Sequence, residues 1–411
     1  MNNIRENNHN LFNDQDIQTW AEEDQASIKI NYEKPISPET IADKYSRSQL
    51  RVVRETKDFT LDYLKYALKI DSPIINVAPE YQRRQRWSLQ KKSQLIESFL
   101  MNIPIPPIFL FARAYNKYEV VDGRQRLDTI REYLNDEFGL KGLDYWSELN
   151  NKTFQQLPDI IKRGLLRSSL PAIVLLTETR NSENDFDVRK FLFDRLNTGG
   201  DKLSPQELRN ALYPGHFNQM LIRLARSDKF TKTWGIPAFS IRENEHIPDD
   251  LSKNVLYKNM ADCELVLRFF AIEEAIKRSD RGSLKKLLDS CMERHYKDAP
   301  YTVEGLEKRY QIYFGLLFDI FDGMPFYIPN ISRPSRTLYD AMMVAMSLLD
   351  MDELDVTQRA NIQQRLQTTL DDPEKYELMV GRKGVLLDYI KQRIRIASTI
   401  LTGRVRDDRF P

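Results

Sequence analysis

The segment Tyr118-Glu-Val-Val-Asp-Gly-Arg-Gln-Arg-Leu127 predicts a strand, a tight turn and a helix in immediate succession. Its first residues, Tyr118–Val121, form a short apolar run that is typical of a buried strand. Asp122-Gly123 is a frequent turn pair. Beyond the turn, apolar residues recur at helical spacing and predict the buried face of the helix: Leu127, Ile130, Tyr133 and Leu134.

This turn has the chemistry of an anion site. Gly123 has no side chain, so a ligand can approach its backbone closely. The first amides of a helix and its dipole favour a negative group. Arg124 and Arg126 add planar donors suited to phosphate, and Asp122 is placed to bind a metal, orient a water or accept a sugar hydroxyl. The alternative is an ordinary strand-to-helix turn with solvated arginines.

Outward from the turn, strands and helices alternate between about residues 50 and 200. Leu61, Leu64 and Leu68 indicate a short helix within 58–70, and a second helix ends at Pro104, Pro106 and Pro107. We expect further strands at 108–112 and 172–177. From about residue 186 onward the periodicity is helical, over 260–277, 284–296, 306–322, 335–349 and 383–402. The sequence therefore predicts an α+β fold with a small sheet, followed by an all-helical domain, with a polar arm over 1–45, a domain over 46–185 and a helical domain over 186–411.

A basic and aromatic loop lies between the first two predicted helices. Arg83, Arg84 and Arg86 stand between Tyr81 and Trp87, and Lys91 and Lys92 follow. Such a loop can contact phosphates while a ring stacks on a base. It can equally be a solvated loop with Trp87 anchored in the core.

The segment Asn197-Thr-Gly-Gly200 ends a predicted helix that includes 191–196, since glycine adopts the left-handed cap conformation. Ser204-Pro-Gln-Glu207 then has the pattern of a capping box that opens the next helix. In a functional interpretation Asn197 and Thr198 line the same pocket as Asp122. In the alternative, structural interpretation, Asn197 and Thr198 belong to a turn that caps the end of the helix.

The composition excludes several classes of protein. The formal net charge is +1, so nucleic-acid binding would need a local patch. Two cysteines and four histidines leave little material for a metal site or a disulfide framework, and we expect neither. No P-loop, Gly-x-Ser-x-Gly elbow or His-Glu-x-x-His motif is present. The N-terminus has no apolar run, so we expect a cytoplasmic protein without a membrane segment.

Five landmarks occur in one order and together closely resemble the domain-of-unknown-function 262 family. They are Tyr81-Gln-Arg…Trp87, Leu95-Ile-Glu-Ser98, Ile103-Pro-Ile-Pro-Pro-Ile108, Tyr118–Leu127 and Leu196-Asn-Thr-Gly-Gly200 with Glu207-Leu-Arg-Asn-Ala211. That family forms the N-terminal half of Gmr-type modification-dependent restriction enzymes and of other phage-defence proteins. Its fold is similar to the ParB/sulfiredoxin superfamily, so the resemblance implies a ParB/sulfiredoxin-like nucleotide-binding domain with a small mixed sheet over 46–185.

The resemblance also implies roles for individual residues. The family's Asp-Gly-Gln-Gln-Arg signature falls on residues 122–126 and implies catalytic Asp122, Gln125 and Arg126. Nucleotide or phosphate contacts are implied for Gly123, Arg124, Gln82, Arg83, Asn197 and Thr198, and candidate DNA contacts for Arg84, Arg86, Lys91 and Lys92. Arginine at 124 departs from the signature: it can strengthen phosphate binding or displace a water that glutamine would orient.

Three functions are compatible with these features. The first is a nucleotide-binding, NTP-hydrolysing component of a phage-defence or restriction system, with NTP and Mg²⁺ as cofactors and a partner protein that carries the effector activity. The second is a DNA-binding or DNA-nicking module in which the pocket holds a backbone phosphate. The third is a protein–protein scaffold with a vestigial pocket. No His-Asn-His nuclease motif is found, so we expect DNA cleavage to need a partner.

Overall fold

The computed structural model describes residues 11–25, 52–69, 73–77, 87–177, 203–244, 247–328, 331, 333–354, 358–381 and 387–405. The chain divides into two compact units. One unit spans residues 32–203 and contains the sheet, and the other combines residues 1–31 with 204–411 and is helical where it is described. The predicted α+β class, with a small mixed sheet and a helical C-terminal region, is confirmed.

The sheet has five described strands in the order β1-β5-β3-β4-β2. Their bounds are β1 Val52–Thr60, β2 Ile75–Asn76, β3 Ile108–Ala114, β4 Lys117–Asp122 and β5 Ser169–Thr177. β1 is antiparallel to β5 and β3 is antiparallel to β4, whereas β3–β5 and β2–β4 are parallel pairs. The strands predicted at 108–112, 118–122 and 172–177 are thus present as β3, β4 and β5.

The sheet unit contains four described α-helices and two described 3-10 turns. The helices are α2 Leu61–Ala67, α3 Leu89–Leu100, α4 Arg124–Leu134 and α5 Asp159–Arg167, and the 3-10 turns are Ser147–Leu149 and Phe154–Gln156. The short helix predicted within 58–70 is present as α2. It begins at Leu61 because β1 continues to Thr60, whose hydroxyl accepts a hydrogen bond from the Tyr63 amide as the N-cap.

The core of this unit lies between the sheet and its helices. Ile108 and Leu110 of β3 pack with the apolar face of α4, and all four residues predicted for that face are buried: Leu127, Ile130, Tyr133 and Leu134. Burial of a side chain of this size contributes about 1.5–3 kcal/mol. The β4–turn–α4 segment is therefore part of the core, and its turn connects two elements that are packed in that core.

The second unit consists of helices with short connections. The described helices are α1 Asp14–Gln25, α6 Pro205–Leu212, α7 His216–Ala225, α8 Asp228–Trp234, α9 Asp249–Lys253, α10 Val255–Lys258, α11 Ala261–Arg278, α12 Leu284–His295, α13 Pro300–Ile320, α14 Arg336–Leu348, α15 Arg359–Asp371, α16 Pro373–Val380 and α17 Leu387–Thr402, with 3-10 turns at Ile241–Asn244 and Met351–Glu353. No described helix is both long enough and apolar enough to span a bilayer.

Helix α1 lies within the segment that the sequence predicts as a polar arm, and it joins the helical unit through buried ion pairs. Asp24 is 4% exposed and its carboxylate accepts from Arg268 of α11 at 2.8 Å and from Arg336 of α14 at 3.2 Å. Arg268 also pairs with Asp340. Burial alone would raise the pKa of Asp24, but the two guanidinium groups lower it below its usual range.

Candidate functional site

The turn between β4 and α4 depends on the backbone of Gly123. This residue is the N-cap of α4 and has φ 94° and ψ 12°, in the left-handed region. A Cβ atom here would lie 2.3 Å from Cγ2 and 2.8 Å from Cβ of Ile108 in β3. Glycine is therefore required because the turn packs directly on β3, a reason different from the close approach of a ligand that the sequence predicts.

Arg126 fixes the turn to the proline-rich segment that precedes β3. One of its terminal nitrogens donates a short hydrogen bond to the Pro106 carbonyl and lies 3.4 Å from the Pro107 carbonyl oxygen. The other donates to the Asp122 carboxylate at 2.8 Å. The Arg126 side chain is 14% exposed and that of Asp122 is 40% exposed, so the carboxylate forms the accessible edge of this pair. Arg126 thus positions Asp122.

The Arg126 guanidinium is partly desolvated. Burial lowers its pKa from the usual value, and the carboxylate of Asp122 acts in the opposite direction. A second anion near the guanidinium would favour its charged form.

Arg124 lies two residues from each member of this pair, and its side chain is 23% exposed. Its Nε is 3.3 Å from Asp128, and the other oxygen of the same carboxylate lies 3.4 Å from Arg131. Residues 122–126 contain two arginines and one aspartate, an excess of one positive charge at the positive end of the helix dipole. This excess and the dipole act in the same direction on an approaching phosphate.

Gln125, predicted as catalytic, points inward. Its side chain is 8% exposed and its amide oxygen accepts a hydrogen bond from the Trp87 backbone amide at 3.2 Å. Trp87 is the residue directly after the arginine cluster 83–86. In the structure Gln125 therefore links the helix to the end of that basic segment.

The two lysines proposed as DNA contacts differ in their surroundings. Lys91 lies over the Trp87 ring, with its Nζ 5.0 Å from the ring centroid. Lys92 pairs with Glu132 of α4, and both side chains are largely buried, with 15% and 12% exposed. Because the charge of Lys92 is already balanced by Glu132, we infer that Lys92 stabilises the packing of α3 against α4.

Six predicted site residues lie outside the described residues: Gln82, Arg83, Arg84, Arg86, Asn197 and Thr198. The same holds for the helix end predicted at 191–200. The capping box after it is confirmed, since the Ser204 hydroxyl accepts from the Glu207 amide and the Glu207 carboxylate accepts from the Ser204 amide.

Two sets of contacts that hold the site in place were not predicted from the sequence. The carbonyls of Pro106 and Pro107 bind Arg126, although those prolines were considered only as a helix end. Glu97 of α3 is 7% exposed and accepts from the amides of Tyr145 and Trp146 at 2.8 and 2.9 Å, which fixes the loop after α4. A buried glutamate inside an apolar stripe was the available signal.

The protein thus belongs to the α+β class. Its mixed sheet contains a strand–turn–helix in which the turn between β4 and α4 has the sequence Asp-Gly-x-Gln-Arg. Residues 65–214 match the family model described as GmrSD restriction endonuclease, N-terminal domain. The resemblance drawn from the five landmarks is confirmed, and the match indicates a component of a restriction or phage-defence system. Comparison with curated proteins and with solved structures gives no match. The ParB/sulfiredoxin likeness stays a prediction.

Proposed function

We propose that this protein is the nucleotide-binding component of a restriction system and that it holds the phosphates of a nucleoside triphosphate at the Asp122–Arg126 turn. The single observation that supports this most is the geometry at the N-terminus of α4, where the Arg126 guanidinium lies 2.8 Å from the exposed Asp122 carboxylate. A phosphate can share Arg126 and Arg124, while Asp122 is suited to a magnesium ion that accompanies the nucleotide.

Each residue has a separate part in this proposal. Gly123 and Arg126 fix the turn, Arg124 contacts the phosphates, and Asp122 contacts the metal ion or a water. Gln125 acts through Trp87 and positions the basic segment. We propose that the protein hydrolyses the bound nucleotide and that this hydrolysis controls a separate effector protein.

Calorimetric titration of the full chain with ATP, GTP, CTP and UTP, each with and without Mg²⁺, tests binding. We expect one of them to bind with Mg²⁺-dependent affinity. If none produces heat, the site holds no nucleotide and the scaffold interpretation replaces this proposal.

Asp122→Asn separates the role of the carboxylate from the fold. Asparagine still accepts a hydrogen bond from Arg126 but has no charge, so we expect binding without Mg²⁺ to strengthen and the gain from Mg²⁺ to disappear. The matched control is Asp159→Asn at the start of α5, where the side chain is 82% exposed and pairs with Lys162. Equal behaviour of the two variants would contradict the assignment.

Arg124→Gln restores the glutamine of the family signature. Loss of one charge-assisted hydrogen bond at a partly exposed site weakens nucleotide affinity by about tenfold. Phosphate release per bound nucleotide rises if arginine displaces the attacking water. Arg163→Gln on the exposed face of α5 is the control, and an equal loss in both variants would indicate unspecific attraction.

A further inference from the structure

A second cluster of ligand-type side chains lies in the helical unit, outside the matched family domain. Cys291 and His295 are one turn apart on α12 and so share a face, and Glu274 projects from the neighbouring helix α11. One ligand atom from each of the three side chains lies within 4.8 Å of the others. Sulfur, imidazole nitrogen and carboxylate oxygen thus converge on one point.

The His295 ring is held on both sides. Its Nδ1 lies 2.5 Å from the Asp298 carboxylate, and its Nε2 faces Glu274 at short hydrogen-bond distance. The ring also stacks on Phe217, with centroids 4.5 Å apart and an angle of 18° between the planes. Histidines that bind metal ions almost always donate their other ring N–H to a carboxylate, as Asp298 is placed to accept here.

Glu274 is also oriented. Its Oε2 accepts from Arg294 Nε at 3.0 Å, which leaves Oε1 directed at His295. Arg294 is 3.7 Å from Asp280, so part of its charge is balanced away from the cluster. The side chains of Glu274 and His295 are 22% and 16% exposed, whereas Cys291 is buried.

We propose that Glu274, Cys291 and His295 bind a divalent cation of the zinc class, with water as a fourth ligand. Mixed sulfur, nitrogen and oxygen donors are the ligands that Zn²⁺ takes in proteins, and its bond lengths place ligand atoms roughly 3.3–3.8 Å apart. On binding, the three ligand atoms, which lie within 4.8 Å of one another, would have to move to that spacing. On binding, the Cys291 thiol and the imidazole Nε2 release their protons to solvent and the cation takes both positions.

This proposal departs from the expectation that the chain has no metal site. Two cysteines and four histidines are few, but a three-ligand site needs only one of each. The ligands lie on two helices of one unit, so the cation would cross-link α11 to α12 and stabilise their packing.

Titration of the full protein with Co²⁺ tests the proposal directly. We expect one equivalent to bind, with the visible bands of tetrahedral cobalt and an ultraviolet thiolate-to-cobalt charge-transfer band. Zn²⁺ should displace Co²⁺ stoichiometrically and raise the melting temperature. Absence of the charge-transfer band, or binding without saturation at one equivalent, would overturn the site.

Variants assign the ligands. Cys263→Ser leaves Cys291 as the one cysteine of the chain, so the charge-transfer band must persist in it. Cys291→Ser must lose that band, and equal spectra for both variants would refute the proposal. Asp298→Asn keeps all three ligands, and we expect Co²⁺ affinity to fall roughly 10- to 100-fold because the orienting carboxylate is lost. The Cys263→Ser spectrum decides the matter even if Cys291→Ser does not fold.

Discussion

Replacing Gly123 with alanine tests whether this glycine serves the fold or a ligand. The new Cβ would overlap Ile108 of β3, with 2.3 Å to Cγ2 and 2.8 Å to Cβ. The residue would also have to keep φ near 94°. Both penalties fall on the folded sheet unit and neither involves a ligand.

The expected size of the effect follows from these two terms. A left-handed conformation costs an L-residue about 1–2 kcal/mol. Forcing an extra methyl into a packed core costs about 1–3 kcal/mol. We therefore expect Gly123→Ala to lower the free energy of unfolding of the sheet unit by about 2–5 kcal/mol, a roughly 30-fold to several-thousand-fold change in its opening equilibrium.

Hydrogen exchange followed by mass spectrometry measures this change locally. Peptides from β3, β4 and α4 should exchange faster by that factor, and peptides from the helical unit serve as an internal reference. Gly164→Ala is the matched control: Gly164 lies in α5, and an added Cβ there meets no atom within 4 Å. The same substitution should then stabilise the unit by about 0.5–1 kcal/mol.

A double variant locates the source of the strain. Ile108→Ala removes the Cγ2 atom, so combining it with Gly123→Ala should cost less than the two single changes together, by about 1–3 kcal/mol. If Gly123→Ala leaves exchange unchanged and abolishes nucleotide binding instead, the steric explanation is wrong and the glycine serves ligand approach.

Three further changes test the supports of the two units. Asp24→Asn should destabilise the helical unit by about 3–5 kcal/mol at neutral pH, because Arg268 loses a buried partner. Since the folded-state pKa of Asp24 is depressed, this stabilisation is present above the unfolded carboxyl pKa of about 3.9 and is lost as the pH falls below it, so denaturation curves of parent and variant should converge in acid. Glu97→Ala should cost about 1–3 kcal/mol and expose the amides of residues 145–146 to hydrogen exchange. Ser204→Ala removes the N-cap of α6 and the hydrogen bond that the Ser204 hydroxyl donates to the Asn259 carbonyl, and should cost about 1–2 kcal/mol in chemical denaturation, whereas Ser204→Thr, which keeps the hydroxyl, should retain most of this stability.

The sequence predicted those helices and strands in which buried positions produce a regular pattern of apolar residues. The apolar period of α4 and the three strands at 108–112, 118–122 and 172–177 were identified because one or both faces are buried. β1 was missed because it lies at an edge of the sheet among the described strands, next to β5, and carries charged residues at 54, 55, 57 and 58, which hide a strand pattern.

The contacts that position the candidate site could not be predicted in the same way. The close packing of Gly123 on Ile108 depends on how β3 and β4 pair, and Arg126 binds carbonyls 19 and 20 residues away. The cluster around His295 likewise depends on the packing of two helices, although the spacing of Cys291 and His295 on one face was readable. A sequence pattern indicates which face of a helix or strand is buried. It does not indicate which other helix or strand packs against that face, and these contacts depend on that packing.

The same contacts decide which variants are informative about function. Gly123 and Arg126 hold the turn to β3 and to the proline segment whether or not a ligand is bound, so loss of activity on changing them does not separate folding from binding. Asparagine at 122 keeps a hydrogen-bond acceptor for Arg126, and the Arg124 guanidinium pairs with Asp128 of its own helix. Position 124 is also where the chain differs from its family signature. The nucleotide proposal therefore depends on Asp122→Asn and Arg124→Gln, in which the turn keeps its supports while the charge that meets the phosphates changes.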